Sequence, residues 1–341
     1  MSALNEIALN EICNKKVLFL CMSCNDPLYI AQNQCIKETW GKKIIDGDYG
    51  KNVDILFYDG WDNGHALDEE NKILHIRCED DLDGTYKKTY YALNILQKNY
   101  DYDYIFRTNT STYINVPLAL KLIDYIDKNN QQDVIWTPEL LSLVEACCPL
   151  PLNLYARGNG MILSRATIQR ILDYGLVHLY SEHVDDVMIC NVINAHWMRE
   201  KQDYRKYIKG FPHGWFRCVE QGDFSNGHKL CEYYNDNVEW DYLKQFITIQ
   251  IKQYYHRGDE IENCRTLHSF IQDKVDNDLD ETFNKVLEYS KDPSVFLGSI
   301  IGYCSLNKWN SLDKQHLWNI QCKYKADNDP HKDKYLNKKW Y

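Results

Sequence analysis

Apolar runs of strand length, separated by segments with helical periodicity, constrain this chain more than any other feature. They are "KVLFLCM" (16–22), "VDILFY" (53–58), "KILHIRC" (72–78), "YIFR" (104–107), "DVIWT" (133–137) and "GMILS" (160–164). Several are near-continuous rather than alternating, as in strands buried on both faces. Between them, residues 28–40 follow "NDP", 85–96 put Tyr86, Thr89, Tyr90, Leu93 and Leu96 on one face, and Pro117 opens a segment holding Leu118, Leu122 and Ile126. Ser164 is placed to cap the helix of "SRATIQRILDYG", and Gly175 to stop it. Alternating strands and helices predict an α/β fold: a Rossmann-type mixed, mostly parallel sheet flanked by helices.

Such a sheet holds its ligand beyond the carboxyl ends of its strands. "DYIFRTNTSTYINV" (103–116) is the notable segment there, because a core strand runs into Arg107, Asn109 and Ser111 before Asn115 and Pro117 start a helix. The segment is either a binding loop or an ordinary strand–helix turn whose polar side chains bond their own backbone. Ser23 and Asn25, past the first strand, and Asp59, ending the second, are placed for base or ribose contacts; Ser23 and Asn25 equally suit capping the next helix. Beyond about residue 204 the pattern loosens into aromatic loop and short strands, then an alternating strand, a helix and a Lys- and Asp-rich tail.

A chain of 341 residues accommodates one large domain with an appended segment. The expected division is an N-terminal extension over 1–15, a catalytic domain over 16–275 and a helical C-terminal extension over 276–341. With a net charge of −10 and no concentrated basic face, nucleic acid is not an expected partner. The amino terminus lacks a basic stretch followed by an apolar one, and no run is long enough to span a bilayer, so an unexported, cytoplasmic protein is expected. Thirteen cysteines, an odd number without a framework, fit reduced thiols. "CMSC" (21–24) has redox or half-zinc spacing, but the adjacent Cys147 and Cys148 supply no matching second pair. Asn109-Thr110-Ser111 is formally a glycosylation acceptor, a reading that needs export.

In order along the chain, "CIKETWG", "VDILFYDG", "DDLDGTYKKTYYAL", "YDYIFRTNTSTYINV", "LYARGNGMILSRATIQRIL" and "HVDDVMIC" resemble segments of the inverting β-1,3-glycosyltransferase group. These are galactosyltransferase and Fringe-like enzymes with a GT-A fold. The matches span about 16–194, with a weaker echo at "IQIKQYYHRGDEIE". The resemblance implies transfer of a sugar, with inversion, from a nucleotide sugar (a UDP-sugar is expected) to a hydroxyl on a glycan. Asp186 takes the place of the family's base and Asp185 that of the preceding Glu; both also suit a helix start. Lys88 falls in the family's Lys-Thr segment. Gly158 and Gly160 would let backbone approach a sugar, or serve a simple turn. Trp136, His213 and Trp215 are candidates for an acceptor platform, or for packing.

The departure lies at the family's Asp-x-Asp motif, whose carboxylates hold a divalent ion; Asn109, Thr110 and Ser111 stand there instead. Lys252 aligns with a metal-binding His, with His256 and Arg257 close behind. The expectation is a site needing no metal and no cofactor beyond the nucleotide-sugar co-substrate, with Asn109 and Ser111 touching the nucleotide and Lys252 or Arg257 facing the diphosphate. Lys252 could equally be an edge-strand lysine facing water. A non-catalytic nucleotide-sugar or glycan binder is the second reading, and a thiol oxidoreductase at Cys21 and Cys24 the third. Richness in Asn, Lys, Ile and Tyr suits an A/T-rich genome, such as a bacterium or a large DNA virus glycosylating in its host's cytoplasm.

Overall fold

The computed structural model describes residues 12–81, 84–138, 140–142, 154–156, 158–174, 185–186, 189, 208–215, 245–252, 257, 259–275 and 279–290, with backbone alone at 140–142, 154–156, 174, 208, 213–215, 259, 270, 272–275 and 289. In chain order the first half holds β1 (Val17–Met22), α1 (Pro27–Glu38), α2 (Lys42–Ile45), β2 (Val53–Gly60), β3 (Ala66–Asp68), β4 (Ile73–Ile76), α3 (Thr85–Asn99), β5 (Tyr104–Asn109), β6 (Thr112–Ile114) and α4 (Val116–Lys128). There follow β7 (Ile135–Thr137), β8 (Leu140–Ser142), β9 (Leu154–Ala156), β10 (Met161–Ser164), α5 (Arg165–Tyr174), β11 (Ile208–Gly210), β12 (His213–Trp215), β13 (Thr248–Gln250), α6 (Asp259–Val275) and α7 (Leu279–Ser290).

Eight strands form one sheet in the order β11-β7-β10-β5-β1-β2-β4-β3. The pairings β1–β2, β1–β5, β2–β4 and β11–β7 are parallel; β10 runs antiparallel to both β5 and β7, and β3 antiparallel to β4. The chain is therefore α/β with a mixed, mostly parallel sheet flanked by helices. Side chains of a strand alternate between faces, and both faces here are covered. Phe19, Cys21, Ile55, Phe57 and Phe106 pack with α1, α4 and α6, whereas Leu18, Leu20, Leu56, Tyr58 and Ile105 pack with α3 and α5. Burial on both sides is why the strands read as apolar runs.

Helix starts follow local chemistry. Asp26 caps α1 by accepting the Leu28 N–H, Asn115 caps α4 by accepting that of Leu118, and Ser164 Oγ accepts the Thr167 N–H at 3.1 Å. Gly175 lies outside the described residues. α7 packs on α4, with Tyr125 edge-on to Phe283 at 6.3 Å and Lys121 paired to Asp280.

The notable segment departs from expectation. β5 does not stop at Phe106 but continues through Arg107 and Thr108 to Asn109, because β1 pairs alongside as far as Met22 opposite Asn109, and β10 sets Met161 opposite Arg107. A tight turn at Thr110–Ser111 then leads into β6, which enters a second, three-stranded sheet ordered β12-β13-β6.

Candidate functional site

After β1 the chain builds outward on one side through β2 and β4, then returns to lay β5 on the other side of β1. The strand order reverses between β1 and β5, the position at whose carboxyl ends open sheets of this kind bind their ligands. Met22, ending β1, is the register partner of Asn109, ending β5. The Asn109–Ser111 turn thus stands at the switch point. Asn109 Oδ1 accepts from the Ser111 and Thr112 hydroxyls, both at 2.9 Å, and Thr110 donates to Gln32 Oε1 at 2.6 Å. Neutral oxygens already committed to hydroxyl protons are a donor set that does not fit a hard divalent cation.

Beside the turn, Gly158 joins two groups of candidates. Its N–H donates to Asp186 Oδ2 at 3.0 Å, and its carbonyl accepts from Arg107 and, at 3.4 Å, from Asn109 Nδ2. A methyl group at position 158 would lie 2.7 Å from Arg107 Nη1 and 3.2 Å from Asp186 Oδ2, so glycine is required for this approach. Gly160 likewise admits Thr248 of β13, whose Cγ2 would lie 3.0 Å from an added Cβ. Asp186 is half-buried, with Oδ2 of its carboxylate accepting the Gly158 N–H.

Arg107 is fully buried, and this corrects its expected place among donor contacts. Its guanidinium pairs with Asp185, donates to Tyr58 Oη at 3.3 Å and approaches Met22 Sδ at 3.3 Å. Burial opposes its charge, but Asp185, Tyr58 and Asp186 outweigh burial and hold its pKa above the ordinary arginine value. Asp185 is also withdrawn from the acceptor set, since it is buried against Arg107 and takes the Thr89 hydroxyl at 2.9 Å. Both residues lie inward because residue 107 shares the face of Ile105, where α3 packs.

On the β2 side the candidates converge on a carboxylate that sequence reading missed. Asp80 accepts from Lys88 Nζ at 2.6 Å, the Asn25 N–H at 2.5 Å and the Gly60 N–H at 2.9 Å. Burial works to raise its pKa, but Lys88 and these hydrogen bonds win and lower it. Lys88, itself buried, also donates to the Ser23 carbonyl at 2.8 Å. Ser23 Oγ bonds Asn33 at 3.0 Å, and Asp59 bonds His75 Nδ1 at 2.7 Å, with burial pushing the Asp59 carboxyl up. A detectable signal existed: Lys88 lies in the buried stripe of α3 with Thr85, Thr89 and Ala92, and a buried lysine demands an acid.

The cations expected opposite the turn follow β13 in the chain. That strand pairs antiparallel with β6, and the Ile251 N–H donates to the Ser111 carbonyl at 3.0 Å, so Lys252 follows at the level of the turn. Arg257 forks onto Glu260 at 3.0 and 3.2 Å, and Glu260 bonds Gln32, the partner of Thr110. Glu260 and Gln32 went unnoticed because an acid and an amide on separate helices carry no sequence sign of meeting.

Trp136 is a correction. It is only 2 % exposed, set between β10 and β11 with Tyr125 edge-on at 6.4 Å, so it packs the core rather than offering a platform. His213 and Trp215 lie on β12 beside β13, but their side chains are outside the described residues, as are His256, Cys147 and Cys148. The thiol reading meets an obstacle too. Cys21 is fully buried with its thiol pushed well above the usual range, and burial followed by Asp80 pushes Cys24 up to about 12, whereas a redox motif needs a stabilised thiolate.

No family model and no curated protein matches the chain. A crystal structure of a glycosyltransferase involved in the glycosylation of the major capsid of PBCV-1 is similar over 73 % of this chain and 98 % of its own, at 8 % identity and a TM-score of 0.38. A superposition that loose carries no argument about activity. Among the described residues, no helix is long and apolar enough to cross a membrane.

Proposed function

We propose that the chain is an inverting glycosyltransferase that moves a sugar from a nucleotide sugar, a UDP-sugar in the first instance, to a hydroxyl on a glycan without a divalent metal. The observation that carries this reading is the Gly158 peptide, which ties a half-buried carboxylate, Asp186, to the switch-point turn at Asn109. In the reaction Asp186 takes the proton of the acceptor hydroxyl as that oxygen attacks the anomeric carbon. The bond from the sugar to the diphosphate oxygen breaks, and its electron pair leaves with the nucleoside diphosphate. Arg257 and Lys252 supply N–H groups and positive charge for the departing diphosphate, and Asn109 and Ser111 contact the nucleotide. Asp185 and Arg107 hold the base in place from within.

The test is release of nucleoside diphosphate from UDP-sugars with glycan acceptors in the presence of chelator. Turnover that survives chelation and falls about 10²–10⁴-fold in Asp186→Asn is the expected result. A site that binds nucleotide sugars yet turns over no donor–acceptor pair is the non-catalytic binder, the reading that the carboxylate-free turn also favours. Activity that disappears with chelator and returns with manganese refutes the metal-free mechanism.

A further inference from the structure

Glu260 is fully buried, and a buried carboxylate persists only where its oxygens are taken up by donors. One oxygen accepts Arg257 Nε at 3.0 Å; the other accepts Arg257 Nη2 at 3.2 Å and the amide of Gln32. The carboxylate therefore grips one edge of the guanidinium in the two-pronged geometry that fixes its plane. Tyr29, one turn before Gln32 on α1, holds the guanidinium from another side. Its hydroxyl accepts from Nη1 at 2.8 Å, and its ring centroid lies 5.0 Å from the guanidinium carbon. Arginine has five N–H groups; with Nε, one on Nη2 and one on Nη1 engaged, one on each terminal nitrogen has no partner among the described residues. The Arg257 side chain is 28 % exposed, so the fixed guanidinium is not sealed in.

The other end of the assembly is the switch-point turn. Gln32 spends its amide donor on Glu260 and its amide acceptor on the Thr110 hydroxyl, at 2.6 Å. A side-chain amide offers a donor end and an acceptor end together, so Gln32 passes the placement of the carboxylate on to the turn. Gln32 is 2 % exposed and Thr110 is 2 % exposed, which keeps water from replacing either bond.

We propose that Glu260 and Gln32 are positioning residues that lock the Arg257 guanidinium and the Asn109–Ser111 turn into one rigid unit, so that the two remaining N–H groups are held in place for the β-phosphate of a nucleoside diphosphate. The inference rests on the nucleotide-sugar reading above. Because Glu260 offsets much of the arginine's net charge, Arg257 contributes directed hydrogen bonds more than field strength. Preference for a diphosphate over a monophosphate then depends on Glu260, a residue that touches neither.

The test is equilibrium binding of UDP, UMP, GDP and GMP to the full chain and to Glu260→Gln, Arg257→Lys and the Glu260→Gln/Arg257→Ala pair, each with a circular dichroism spectrum. The wild type is expected to prefer the diphosphate of one series. Glu260→Gln lowers that preference about tenfold or more, as loss of a directed charged hydrogen bond does, while monophosphate affinity stays within about twofold. Should Glu260→Gln not fold, Arg257→Lys keeps the charge, loses the fork and gives the same loss of preference. Adding Glu260→Gln to Arg257→Ala changes nothing further. An unchanged preference in a folded Glu260→Gln or in Arg257→Lys overturns the positioning role and leaves the nucleotide-sugar reading standing. A wild type that binds none of the four nucleotides overturns both.

Discussion

Replacing Asp185 with asparagine isolates the charge that Arg107 depends on. The amide still accepts the Thr89 hydroxyl that Asp185 takes at 2.9 Å, and the side chain keeps its shape, so the perturbation is almost purely electrostatic. Arg107 is fully buried and retains its proton, so the variant leaves a guanidinium inside the sheet with no ion-pair partner among the described residues. Removing one partner of a buried pair costs about 3–5 kcal/mol, and at about 2–4 °C per kcal/mol for a domain of this size the unfolding midpoint drops by roughly 6–20 °C. Urea titration followed by tryptophan fluorescence gives the free energy, and a thermal scan the midpoint. The paired variant Arg107→Met/Asp185→Leu is expected to recover most of the lost stability, since an apolar pair of similar volume carries no desolvation cost. It is expected to remain inactive, because the Gly158 carbonyl loses the Arg107 donor and keeps only Asn109. An Asp185→Asn protein within about 1 kcal/mol of wild type, or a double variant no more stable than the single, refutes the argument.

Gly158→Ala places a methyl group 2.7 Å from Arg107 Nη1 and 3.2 Å from Asp186 Oδ2; it is expected to cost about 1–3 kcal/mol and about 10²-fold in turnover, whereas full activity would show that Asp186 needs no such placement. Asp80 has a lowered pKa in the folded chain, so the stability it supplies is present above its unfolded value, near 3.8, and is lost as pH falls through the lower folded value. Asp80→Asn is accordingly less stable than wild type at pH 7, and the difference in unfolding free energy shrinks as pH falls below about 3.8 and is gone below the lower folded value; a difference that persists below that value points to packing instead.

What the sequence disclosed was set by local chemistry. Asp26, Asn115 and Ser164 each announce a helix because the cap is made within a few residues, and the apolar runs announce strands because both faces of the sheet are covered. Arg107 was misjudged for the opposite reason. A charged residue after "YIF" reads as a strand end unless its counter-ion is known, and Asp185 arrives from far along the chain. Trp136 failed similarly, since nothing in "DVIWT" distinguishes a ring packed on Tyr125 from one displayed to a ligand. The turn at Asn109 was readable as a site from its position past a core strand. That Gly158 would link it to Asp186 followed only from the register of β10 on β5.

Gln32 and Glu260 are 228 positions apart, so the underside of the switch-point turn is closed by a residue translated long after the sheet that it serves. At synthesis rates of about 5–20 residues per second the interval is roughly 11–46 s, during which the Gln32 amide donor that Glu260 later takes has only water to bond. The nascent chain therefore passes through a stage with its first strands assembled and its cleft floor open, so a ribosome-bound intermediate of this protein should be cut by protease near residue 110 where the finished molecule is not.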